Sequence, residues 1–104
     1  MKILVFDTET TGLPKRSKKN ITEEMILQDP DILKDWPHII QLSYIVFDTK
    51  TNKICYEYDH IVSLAKNVKI SQGSIDIHGI TRNYSNNNGL PIMRVLEIFN
   101  ICIA

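Results

Sequence analysis

Two cysteines, four glycines, four prolines and one tryptophan are all that this 104-residue chain holds of the residues that most often mark special architecture. Cys55 and Cys102 lie far apart, with no CxxC or Cys/His ligand spacing, which excludes a disulfide framework, a zinc site or a redox pair as the organising feature. Each falls in an apolar stretch, so both are expected to be small core residues in a reducing compartment. An excess of charge of one sign is also missing. Twelve basic residues balance twelve acidic ones for a net charge of +0, so no global field draws in a polyanion, and any nucleic-acid contact must be local. Long apolar runs are absent as well. The opening Met1 to Phe6 is interrupted by Asp7 and Glu9 before a signal-peptide core can form, and no run approaches the roughly 20 residues of a membrane span. These absences predict an intracellular protein, cytoplasmic or nuclear, with no membrane partner. At 43% hydrophobic and 23% charged residues, the chain is globular, one domain or part of one.

What is present begins with Ile3 to Leu13, ILVFDTETTGL. An apolar run that reads as a buried strand ends in two carboxylates one residue apart. Side chains alternate along a strand, so Asp7 and Glu9 project to one side about 6 to 7 Å apart. Two anions aimed at one place repel, and water, cations or a shared proton must relieve them. A solvated strand end with an Asx-type turn is the plainer alternative.

The rest of the chain gives a clear order of elements. Pro14 to Asn20 is basic and without apolar periodicity, a surface loop. Ile21 to Trp36 is interrupted by Pro30, followed by Pro37, and reads as a loop with one or two helical turns. His38 to Asp48 and Lys53 to Ser63 read as strands, joined through Thr49 to Asn52 as a hairpin. Ser71 to Thr81 reads as a short helix or turn closing in a glycine loop, and Asn83 to Gly89 as a further loop. From Pro91, apolar Ile92, Val95, Leu96 and Phe99 recur at helical spacing. Three strands, a connector and an amphipathic helix predict an α/β or α+β arrangement.

The stretch FDTETTGL resembles the first motif of the DEDDh 3′-to-5′ exonucleases, proofreading enzymes of the DNA polymerase III epsilon type with a ribonuclease H-like fold. IIQLSYIVFD is similar to the second strand of that family, IHGIT to a recurrent loop, and the Pro91 helix to the one before its second motif. The resemblance implies an α/β fold with a mixed sheet and flanking helices, and hydrolysis of phosphodiester bonds with two Mg²⁺ or Mn²⁺ ions about 3.5 to 4 Å apart. Carboxylates suit such hard cations. By resemblance Asp7 is the ligand shared by both ions, and Glu9 holds the one beside the attacking water; both are catalytic and metal residues. Thr10, Thr11 and Gly12 are implied substrate-binding residues offering donors to a phosphate or terminal 3′-hydroxyl. Leu13 presses on the terminal base, with a core leucine as the plainer reading. His78 is a loop-fixing or substrate-side residue and not the general base. The implied partners are single-stranded 3′ ends of nucleic acid and a polymerase or another replication or repair protein.

Other residues carry smaller expectations. His38 and His60 flank strands and are expected to be partly exposed surface histidines. Gln41 faces either the sheet edge or the site. Lys15, Arg16, Lys18 and Lys19 either track a nucleic-acid backbone or form a solvated loop. The family's later motifs, an HNxxFD-like aspartate and a histidine–aspartate cluster, are not found, and Asp29, Asp31, Asp35, Asp48, Asp59 and Asp76 all fall upstream of them. The expectation is therefore an amino-terminal part, residues 1–104, of a single exonuclease domain, inactive alone. Two other readings remain: a haloacid-dehalogenase-like phosphatase with Asp7 as nucleophile, and a non-catalytic remnant that only binds nucleic acid or a partner.

Overall fold

Ten residues of alternating character set the architecture. In strand β2 (Ile39–Asp48) the side chains of Ile40, Leu42, Tyr44 and Val46 are buried while their neighbours are half-covered, the period-2 pattern of a strand with one face on the core. The computed structural model describes residues 1–13, 20–34 and 36–104; the basic cluster Lys15 to Lys19 and Asp35 lie outside the described residues. β2 is the centre of a three-stranded sheet ordered β1-β2-β3, with β1 (Lys2–Thr10) and β3 (Lys53–Ile61) antiparallel to it. For β2 and β3 antiparallel pairing follows from the hairpin, whose turn holds Asn52 at φ 57°, a left-handed conformation that asparagine tolerates. The parallel element among the described residues is a single bridge between Val62 and Leu90.

Helix α4 (Ile92–Ile103) packs on one face of this sheet, over β2. Val95 and Cys102 reach Leu42, Tyr44 and Val62, with Ile92, Ile98 and Phe99 packed around them. Full burial of such an aliphatic side chain contributes about 1.5–3 kcal/mol. Leu96, expected in this stripe, is instead 41% exposed, because the buried line runs through positions 92, 95, 99 and 102. The Tyr44 ring meets Phe99 edge-on at 4.8 Å, and its hydroxyl lies 3.1 Å from His60 Nε2 and 4.0 Å from Cys102 Sγ. Burial first, then the hydrogen bond to Cys102, pushes the Tyr44 phenol up to about 12. His60 stacks on Tyr58 at 5.3 Å and so belongs to this aromatic cluster while staying half-buried, in keeping with its expected partly exposed position. Cys102 is buried as expected, whereas Cys55 is exposed; it lies on the outer strand where the register of β2 and β3 slips between Val46 and Phe47.

The helices before α4 begin on side-chain caps. Thr22 starts α1 (Glu23–Gln28), Ser71 starts α2 (Gln72–His78) and Thr81 starts α3 (Arg82–Asn88), each accepting a backbone N–H three residues on. Pro30 opens a 3-10 turn, Pro30–Leu33, after α1. Gly79 ends α2 with φ 73°, where a side chain would be strained. Helix α3 replaces the loop expected over Asn83 to Gly89. Asparagine is a poor helix former, but tertiary contacts override it here. Fully buried Ser85 donates its hydroxyl to the Val62 carbonyl at 2.7 Å and accepts from Leu64 N–H at 3.2 Å. The Arg82 guanidinium donates to the carbonyls of Leu64 and Ala65.

Candidate active site

The sheet face opposite α4 carries the acidic pair. Register pairs Asp7 with Ser43 and Glu9 with Gln41, and then Ser43 with Asp59 and Gln41 with Ile61. By alternation all six side chains project from one face, which also decides the orientation of Gln41: it faces the same side as Glu9. Asp7 is exposed and Glu9 half-buried. The Asp7 carboxylate accepts from the backbone N–H of Thr8 at 2.9 Å. Among the described residues Glu9 has no side-chain hydrogen bond, and neither carboxylate has an ion-pair partner. Two uncompensated carboxylates on one face form a donor set that fits a hard divalent cation. A third ligand is not close: among the described residues no group of three or more histidine, cysteine, aspartate or glutamate side chains could hold an ion.

After Glu9 the register slips by one residue, so that Thr10 pairs with Ile39, a device that re-aims side chains next to sites. Hydrogen bonds hold the turn that follows. Thr10 donates its hydroxyl to the Gly12 carbonyl at 2.9 Å. Thr11, 6% exposed, accepts from His38 N–H at 3.0 Å through its hydroxyl and receives Ser71 N–H on its carbonyl. The Thr10 hydroxyl proton is therefore engaged within the protein, and the Thr11 hydroxyl, which accepts rather than donates in its bond to His38, is buried with its residue. A Cβ on Gly12 would meet Ser71 Oγ only at 3.7 Å, an ordinary contact, so packing does not demand glycine there. Leu13 is 91% exposed, which removes the core-leucine reading.

His78 closes the far side. Its Nδ1 accepts from Ile80 N–H at 2.9 Å, so the proton sits on Nε2, which donates to the Thr10 carbonyl at 3.1 Å. The ring thus ties α2 to the acidic turn, the loop-fixing role. Glu9, Thr10, Leu13, Ser71, Gly73, Ser74, Ile77 and His78 line a cleft of about 510 Å³. Ile77, 82% exposed in that wall, is a residue that the sequence reading missed; the signal was an isoleucine on the outer side of a seven-residue helix. Asp59 and Ser43, on the same face as the pair, were missed too, since their proximity depends on strand register.

With this geometry in place, comparison with known proteins is informative. The family model described as RNase_T, Exonuclease matches residues 4–103. No curated protein sequence matches the chain significantly. Solved structures match in fold. E. coli Exonuclease I in complex with a dA16 oligonucleotide aligns over 94% of this chain and 18% of its own, with 16% identity and a TM-score of 0.64. The nuclease domain of 3′hExo, a DEDDh family member bound to rAMP, aligns over 98% of this chain and 43% of its own, at 19% identity and a TM-score of 0.63. Cell-death related nuclease 4 aligns over 95% and 28%, at 19% identity and 0.58. The chain spans less than half the length of each of these structures. The sheet and helices are thus part of the ribonuclease H-like exonuclease fold. This chain belongs to the RNase_T exonuclease family.

Proposed function

We propose that residues 1–104 are the amino-terminal part of a single 3′-to-5′ exonuclease domain, in which Asp7 and Glu9 hold Mg²⁺ or Mn²⁺. The observation that carries this reading is the pair itself: two carboxylates sharing a sheet face, neither ion-paired with a cation among the described residues, beside a cleft walled by exposed Leu13 and Ile77. Bound divalent ions supply stabilisation of the charge that develops on the phosphate and on the leaving oxygen. The chain's own residues bind and orient. With the Thr10 hydroxyl proton engaged and Thr11 buried, the backbone N–H groups of Gly12 and Leu13 are the turn's donors toward a terminal nucleotide. Leu13 and Ile77 offer apolar surface to its base, and His78 fixes the turn between them. Stacking against apolar walls tolerates any base, which favours single-stranded or frayed ends.

The neighbouring structures hold an oligonucleotide in one case and rAMP in another, which supports a nucleic-acid substrate for this chain. Two of the four DEDDh carboxylates and the histidine base have no counterpart in residues 1–104, so these residues alone are expected to hydrolyse nothing appreciable. In a form that supplies the missing groups, linear single strands lose nucleoside monophosphates from the 3′ end in Mg²⁺ or Mn²⁺, and closed circles survive. Asp7→Ala or Glu9→Ala then lowers the rate by several orders of magnitude with the fold intact. Cleavage of circles, or near-normal single-turnover rates in either variant, contradicts this assignment.

A further inference from the structure

Ser43 stands directly across from Asp7 and Gln41 directly across from Glu9, at a cross-strand Cβ separation of about 4.5–5.5 Å. Both carry hydrogen-bond donors, and the neighbouring carboxylates are the acceptors that their position would suggest. Neither donor goes there. Ser43 gives its hydroxyl proton to Asp59 Oδ1 at 2.9 Å, and Gln41 gives an amide proton to the same oxygen at 2.7 Å. Asp59 sits on β3, on the far side of β2 from the pair.

We propose that Asp59 is a positioning residue, an acceptor that turns the donors of β2 toward β3 and so keeps the Asp7 and Glu9 carboxylates bare for a divalent cation. A serine hydroxyl has a single proton, so once it points to Asp59, only oxygen lone pairs remain on the Asp7 side. The glutamine amide carries two protons, but its nitrogen is drawn toward β3, because a carboxylate can face only that end of the amide. Without Asp59, both donors have the two metal carboxylates as their nearest strong acceptors. A cation would then compete with hydrogen bonds for the same oxygens. Direct ligation by Asp59 is disfavoured by distance: it is two strands from Asp7, roughly 9–10 Å at the ordinary strand spacing, and among the described residues it joins no cluster able to hold an ion.

The inference rests on the proposed metal role of Asp7 and Glu9, and one titration separates the two. Mn²⁺ binding to the 104-residue chain is followed by the electron paramagnetic resonance of free Mn²⁺. Asp7→Ala must abolish the wild-type uptake; if it does not, or if the wild type takes up none, the metal role fails and Asp59 with it. With that arm satisfied, Asp59→Ala weakens binding about tenfold, the lower end for a residue acting behind the ligands. Asp59→Asn, whose carbonyl accepts the same two donors, retains most of the affinity. Adding Ser43→Ala and Gln41→Met to Asp59→Ala restores it, because no donor is left to redirect. An unchanged Asp59→Ala, an Asp59→Asn as weak as Asp59→Ala, or a triple variant that stays weak overturns the proposal. Should Asp59→Ala fail to fold, Ser43→Ala with Gln41→Met in the Asp59 background decides it: affinity at or above wild type is expected, and a loss contradicts the role.

Discussion

Gly12 is a glycine without a structural need for one. Its backbone is not left-handed, and an added Cβ meets only Ser71 at an ordinary distance. Gly12→Ala is therefore expected to change stability by less than about 0.5 kcal/mol, yet to weaken binding of a single-stranded oligonucleotide several-fold, because the methyl group stands where a phosphate or sugar approaches. Denaturation midpoints and fluorescence anisotropy measure the two effects; equal binding by the variant would return Gly12 to the status of an ordinary turn residue. At this scale the acidic pair was legible because alternation alone puts Asp7 and Glu9 on one side. The donors around them were not. Which way Gln41 faces and where Asp59 lies depend on cross-strand register, and a side chain's partner two strands away leaves no local trace in sequence. Thr11 illustrates the same limit: its hydroxyl, legible as a donor to substrate, is buried beneath the turn, where it accepts from His38 N–H.

The elements with strong periodicity were the readable ones. β2 alternates cleanly, the hairpin turn is polar, and α4 follows a proline with apolar residues at helical spacing; all three stand where expected. Helix α3 was hidden because its stabilisation is tertiary, through Ser85 beneath the chain at Val62 and Leu64. Its end is held as tightly. A Cβ at Gly89 would collide with Ser63 N and approach Ser85 O at 2.5 Å and Val62 C at 2.6 Å, all backbone atoms that cannot swing away. Gly89→Ala should thus cost about 2–3 kcal/mol, at the upper end for overpacking. Gly73→Ala, within α2 and with nothing within 4 Å of the added carbon, should be neutral or stabilising by up to about 1 kcal/mol from helix propensity. Urea unfolding of the two variants side by side checks this, and similar midpoints would contradict the packing described at the α3 end.

Across the whole molecule, apolar surface and acidic site share the same strand. β1 pairs on one edge among the described residues, and Val5 and Phe6, on its opposite faces, are 61% and 60% exposed. A strand apolar on both faces suits a central position, and open edges of this kind promote association. A dehalogenase-like reading does not fit the antiparallel neighbour of β1 or the family match over residues 4–103. No helix among the described residues is long and apolar enough to cross a membrane. The central claim, that Asp7 and Glu9 together hold a divalent cation, is tested most directly by Mn²⁺-induced broadening of amide resonances in the 104-residue chain. Bound at the pair, substoichiometric Mn²⁺ should erase the amides of Asp7 to Thr10 and of Gln41 to Ser43 across the sheet, with α4 spared and the effect lost in Asp7→Ala and Glu9→Ala. Broadening centred elsewhere, or unchanged by both substitutions, would contradict the account.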